Sequence, residues 1–164
     1  MRQASFITGF NNWGKTSIIQ DLFGGRLRYL KGWKYKISDV NFNTEFTVET
    51  HSNDDYSGQN WVDIVQERID NSDDNGENIF VALCPSLEAG NNFITLLTQP
   101  TFANYDRLNI FLIEYKWEHH AKLIIENIIN SAKHIQNTNF IVINADKNLT
   151  NEKERYNEIG RAHV

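Results

Sequence analysis

Three apolar runs of strand length, Asn78 to Cys84, Leu108 to Glu114 and Asn139 to Asn144, constrain this chain more than any other feature. Each is continuous rather than alternating, the pattern of a strand buried on both faces, and such strands belong to parallel sheets sandwiched between helices. The intervening segments carry helical spacing. Asn60 to Ile69 sets Trp61, Ile64, Val65 and Ile69 on one face, and Ala121, Ile124, Ile125, Ile128, Ile129, Ala132 and Ile135 follow a 3.6-residue period. Gln3 to Thr8 reads as a first strand, and Thr16 to Phe23 as a helix stopped by Gly24-Gly25. Trp33 to Ser38 and Glu45 to Thr50 alternate in strand fashion around a turn at Asp39 to Asn43; they pair as a hairpin, or only the second enters the main sheet. Asn148 to Tyr156 starts a last helix with Thr150 as its cap. Strands alternating with helices require crossover connections, so the expected fold is α/β, a three-layer domain with a mostly parallel sheet of about five strands.

With 164 residues, the chain fits one domain with a real core. A formal net charge of -5 provides no overall attraction to nucleic acid or to an anionic membrane, although Arg26, Arg28, Lys31, Lys34 and Lys36 cluster locally. Cys84 is the single cysteine, which rules out an internal disulfide and a multi-cysteine zinc site. No apolar run approaches the ~20 residues of a membrane span, and the N-terminus lacks the pattern of a signal peptide. The expected location is the cytoplasm. Ile159 to Val164 reads as a translated sequencing adapter, so the domain is assigned to residues 1–158, truncated near Glu158, and the tail 159–164 is left out of the fold.

Between the first strand and the first helix lies Gly9-Phe10-Asn11-Asn12-Trp13-Gly14-Lys15-Thr16, followed by Ser17. It matches G-x-x-x-x-G-K-[ST] at every defined position. Glycines at both ends permit backbone conformations that a Cβ resists. Backbone N–H groups at the start of the helix would then wrap phosphate oxygens at the positive end of its dipole. Lys15 would neutralise the β- and γ-phosphates, and Thr16 would present its hydroxyl to magnesium. Trp13 either shields the phosphates or packs on the adjacent loop.

On this loop and its strand–loop–helix setting, the chain resembles the P-loop NTPase superfamily. The resemblance implies binding of a nucleoside triphosphate, ATP first, with Mg2+, and phosphoryl transfer to an acceptor or hydrolysis. A nucleotide-dependent switch or binding module for a protein partner, with little turnover, is the alternative. Either activity needs a carboxylate beyond a strand's C-terminal end. Asp54 and Asp55, in His51-Ser52-Asn53-Asp54-Asp55, are the leading candidates, with Glu114 the weaker one. The run Ile79 to Cys84 ends in Cys84-Pro85-Ser86 without an acid, which argues against vigorous hydrolysis. Asp55-Tyr56-Ser57-Gly58-Gln59 fits the D-x-x-G-Q pattern of small GTPases, but N-K-x-D is absent and specificity for GTP is unsupported. His51, His119, His120 and His134 have no metal-ligand spacing and read as surface or helix-start residues.

Overall fold

The computed structural model describes residues 1–27, 34–37, 43–114 and 122–143. They form β1 (Gln3–Thr8), α1 (Lys15–Leu22), β2 (Tyr35–Lys36), β3 (Glu45–Glu49), α2 (Gly58–Asp70), β4 (Asn78–Leu83), α3 (Phe93–Leu97), α4 (Pro100–Ala103), β5 (Arg107–Ile113), α5 (Ile125–Ala132) and β6 (Thr138–Ile143). The sheet order is β2-β3-β4-β1-β5-β6. Every pairing is parallel except that of the two-residue edge strand β2, which runs antiparallel to β3. Both readings of the 33–50 region therefore hold together: β2 and β3 pair antiparallel, and β3 alone continues into the parallel sheet.

Neighbouring strand residues point to opposite faces, and the register shows which helix covers which. Ser5 lies beside Phe80, so Phe80 shares a face with Ser5 while Phe6 takes the other. On the Phe80 face, Phe23 at the end of α1 meets Phe46 and Phe80 edge to face, with ring centroids 5.7 and 5.3 Å away. On the Phe6 face, Phe102 of α4 packs on Phe6 and on Trp61 of α2, each at 5.4 Å. Helices thus lie on both faces of one mostly parallel sheet, compatible with three layers. Phe6, Ile7, Ile18, Ile19, Leu22, Trp61 and Phe80 have no exposed surface, and burying each such side chain contributes about 1.5–3 kcal/mol.

The chain leaves β1 toward β3 on one side of the sheet, whereas the connections after β4 and β5 run toward the opposite edge. Where neighbouring strands send their connections apart, a crevice opens outside their C-terminal ends. Here that place is the end of β1 and β4. A cavity of about 430 Å3, lined by Gln3, Asn78, Arg107, Asn109 and Asn139, lies at the opposite, N-terminal ends of the strands.

The sheet has six strands rather than about five, because the two-residue β2 joins its edge, and one expected helix is shorter than its period. The periodic segment from Ala121 to Ile135 is helical only over Ile125–Ala132. The Leu123 N–H donates to the Glu114 carbonyl at 2.7 Å, which ties Leu123 to the end of β5, and Ile124 is left 64% exposed. Periodicity had placed Ile124 on the buried face, but a backbone hydrogen bond outranks it. The short helices α3 and α4 carry too few residues for a period; their signals are local, the Asn92 side chain accepting from the Ile94 N–H and Pro100 opening α4. The expected helix at 148–156, the turn over 39–42, Ala121 and the tail 159–164 lie outside the described residues.

Candidate functional site

The loop after β1 owes its shape to two left-handed residues, Asn12 (φ 62°) and Gly14 (φ 80°). Gly14 is also the N-cap of α1 and supplies no side-chain cap, so the first amides of that helix are not closed off by a side chain. The Lys15 side chain turns back over the loop, its ammonium donating to the carbonyls of Gly9 at 2.7 Å and Phe10 at 2.8 Å. An ammonium has three hydrogens, so one is left for another acceptor. Only 7% of Lys15 is exposed. Burial holds its pKa below the ordinary lysine value, while Cys84, Asp54 and Asp55 pull in the opposite direction.

Thr16, the next residue, donates its hydroxyl hydrogen to the Thr50 carbonyl at 3.0 Å. Its only hydrogen is thereby committed and its oxygen lone pairs remain, which is what a hard cation requires of a hydroxyl ligand. That bond also ties α1 to the chain leaving β3. Trp13 is buried and its ring meets the exposed Phe10 at 5.9 Å. A Cβ on Gly9 would lie 3.2 Å from the Trp13 Cβ, so the tryptophan packs on its own loop.

The turn from His51 to Asp55 stands opposite. Asp55 closes it, accepting from the Ser52 N–H at 2.8 Å. The Ser52 hydroxyl in turn accepts from the Asp54 N–H at 3.2 Å. The Asp54 carboxylate accepts no hydrogen bond among the described residues, and it acts on both Lys15 and Cys84. Of the paired acids, Asp55 is committed to the turn and Asp54 is available. Glu114 stands elsewhere: its carboxylate lies 3.5 Å from the Lys122 ammonium and it is not among the groups that act on Lys15.

Asn53 was legible only as a turn residue, yet it is 1% exposed and joins two strand ends. Its side-chain oxygen accepts from the Cys84 N–H at 2.7 Å, and its amide nitrogen donates to the Cys84 carbonyl at 3.0 Å and to Asn91 Oδ1 at 3.0 Å. One amide thus prolongs the β3–β4 ladder past its last backbone pair. The α2 start is pressed against the same loop, since a Cβ on Gly58 would collide with the Gly90 carbonyl. Cys84 sits at this junction with its thiol pushed up to about 11, chiefly by burial, and is neutral at physiological pH.

Gln59 faces away. It donates to Asp63 on its own helix and accepts from Gln99, each at 3.0 Å, so the D-x-x-G-Q residues are spread over a turn, a packing contact and a helix surface. Within the basic cluster, Lys34 pairs with Asp74 at 3.2 Å, while Arg28 and Lys31 lie outside the described residues, as do His119 and His120. Among the described residues no group of three or more histidine, cysteine or acidic side chains is arranged to hold a metal ion. No described helix is long and apolar enough to cross a membrane.

Neither protein-family models nor the curated proteins and solved structures with which the chain was compared match it.

Proposed function

We propose that this protein is a P-loop domain that binds a nucleoside triphosphate, with ATP the first candidate, together with Mg2+ between the loop Gly9–Thr16 and the turn His51–Asp55. The observation that carries the reading is the closure of Lys15 onto the Gly9 and Phe10 carbonyls at the start of α1, with Asp54 in electrostatic reach. In this reading the lysine gives its remaining hydrogen to phosphate oxygens, and the amides of Asn11 to Ser17 cradle them. Thr16 would hold the magnesium, which supplies charge neutralisation on the β- and γ-phosphates. Asp54 orients the hydroxyl that attacks the γ-phosphorus. A new P–O bond forms as the hydroxyl's O–H bond gives up its proton, the bond to the β-phosphate oxygen breaks, and its electron pair leaves on the diphosphate. A cytoplasmic location accompanies this reading, because triphosphate and magnesium are supplied there.

The second reading, a nucleotide-dependent binding module, has its own observation. β4 is hydrogen-bonded directly to β1 yet ends at Leu83-Cys84-Pro85, with no carboxylate beside the phosphates. Titration of the wild type and Lys15→Ala with ATP and GTP in the presence of magnesium tests the common ground. Binding by the wild type and its loss in the variant, with circular dichroism unchanged, are expected; equal affinities would refute both readings. Single-turnover phosphate release then separates them.

A further inference from the structure

On the strand that delivers the Asp54 turn sits a buried carboxylate that the phosphate chemistry above does not use. Glu49, the last residue of β3, has a side chain only 2% exposed. Its Oε2 accepts from Arg68 Nε of α2 at 3.0 Å. Its Oε1 lies 2.8 Å from His51 Nδ1 and also accepts the His51 N–H at 3.1 Å. A carboxylate accepts hydrogen bonds and donates none, so His51 carries a proton on Nδ1, and in the neutral ring the lone pair then lies on Nε2. The ring rests against Tyr56, centroids 5.3 Å apart, and 45% of the side chain is open to solvent. Its backbone is fixed as well, the His51 carbonyl accepting from the Trp61 indole N–H at 3.0 Å.

Such a pair, a buried carboxylate behind an accessible imidazole, sets the tautomer and direction of a proton acceptor. Merely satisfying Glu49 would not require the ring to be open, because Arg68 and the His51 backbone N–H already serve both carboxylate oxygens. The position is also suggestive: His51 directly follows Thr50, whose carbonyl holds the Thr16 hydroxyl, and precedes Asp54 on the same turn.

We infer that His51, oriented by Glu49, takes the proton of the hydroxyl that attacks the γ-phosphoryl group; this rests on the triphosphate-binding reading above. As the attacking oxygen bonds to phosphorus, its O–H bond breaks and the proton passes to Nε2. The bond to the β-phosphate oxygen opens with its electron pair on the diphosphate, and His51 later releases the proton to solvent from its open edge. Asp54 orients the same hydroxyl. The charged groups tied to the imidazole are Glu49 at the end of β3, on which it closes, and Arg68 of α2, which shares that carboxylate; Asp54 and Asp55 follow on the same turn.

The test uses the full chain with ATP and Mg2+, with water as the attacking hydroxyl, in single-turnover phosphate release. His51→Ala should lower the rate by about 10²–10⁴-fold with ATP affinity unchanged, and added imidazole should restore part of it in proportion to the free base. His51→Gln, which keeps a donor for Glu49, should be as slow and should lose the acid limb of the wild-type pH profile. Wild-type rates in either variant, or a loss that imidazole does not repair in a folded protein, would overturn the assignment. A wild type that binds ATP but releases no phosphate overturns it too, whereas a wild type that binds neither ATP nor GTP removes the reading beneath it.

Discussion

The two sides of the crevice are built from different materials. The loop at residues 9–17 is a backbone structure: its left-handed residues, its helix start and the lysine folded onto its own carbonyls all lie within nine consecutive positions. The turn at residues 49–55 is a side-chain structure, and its partners come from far along the chain, Arg68 on α2, Cys84 just past β4 and Asn91 in the loop beyond. Local geometry imposes its residue types at fixed spacing, so a motif reports it. A network across strands imposes only that each donor finds an acceptor, and many sequences satisfy that.

The comparison breaks most sharply at Lys15 and Asp54. If the loop binds and the turn reacts, Lys15→Ala should weaken triphosphate binding by at least about tenfold, since charge-assisted hydrogen bonds contribute about 1.5–3 kcal/mol. Asp54→Asn should leave affinity nearly intact and lower single-turnover phosphate release by about 10²-fold or more. Asp55→Asn should do less to the rate and more to the melting temperature, because its carboxylate closes the turn. Equal rate losses in the two aspartate variants would dissolve the distinction between them. Glu114→Gln is the control and should change neither binding nor rate.

Asn53→Ala tests whether the turn is held from a distance. The substitution strips the Cys84 N–H and C=O of their partners in a buried place, and unfolding titrations should show a loss of about 2–3 kcal/mol. A loss below about 0.5 kcal/mol would mean that the strand ends stay joined without it.

Cys84 gives a pH-dependent version of the same test. Its folded-state pKa, raised from 9.0 to about 11 mainly by burial, means that the folded chain keeps a proton the unfolded chain releases. Stability should therefore be whole below about pH 9 and decline as pH rises through about 11, by roughly 3 kcal/mol on the usual conversion. Cys84→Ala should flatten that decline relative to wild type. Parallel pH profiles for the two proteins would show that the junction is wetter than its burial implies.

The smallest effect lies beneath the turn, in β3. The Thr47 hydroxyl is buried and finds no partner among the described residues. Thr47→Val keeps the shape and removes the orphan, so a gain of about 1 kcal/mol is expected by thermal melting. A loss would reveal a partner for that hydroxyl.

What the sequence determined by itself is the part governed by short-range rules. Continuous apolar runs specified β4 and β5 to within a residue, because a strand buried on both faces has little room for polar side chains. The run from Asn139 marked β6 as well, but its place at the sheet edge leaves it half-exposed rather than buried on both faces. The glycine spacing located the loop, because only certain residues adopt its backbone. The sequence also offered Asp54 and Asp55 as candidate acids, with Glu114 behind them, and treated the pair on the turn as equivalent. The tertiary structure alone decided the rest. It separated Asp54 from Asp55 by showing which carboxylate closes the turn, made Asn53 a cross-strand clamp, and withdrew Glu114 into an ion pair with Lys122. It also started the helix only at Ile125, giving the Leu123 N–H to the Glu114 carbonyl just past β5, and set a histidine read as a surface residue against a buried carboxylate. Each of these depends on which hydrogen bonds remain to be satisfied once distant segments have packed, and periodicity and spacing carry no record of that.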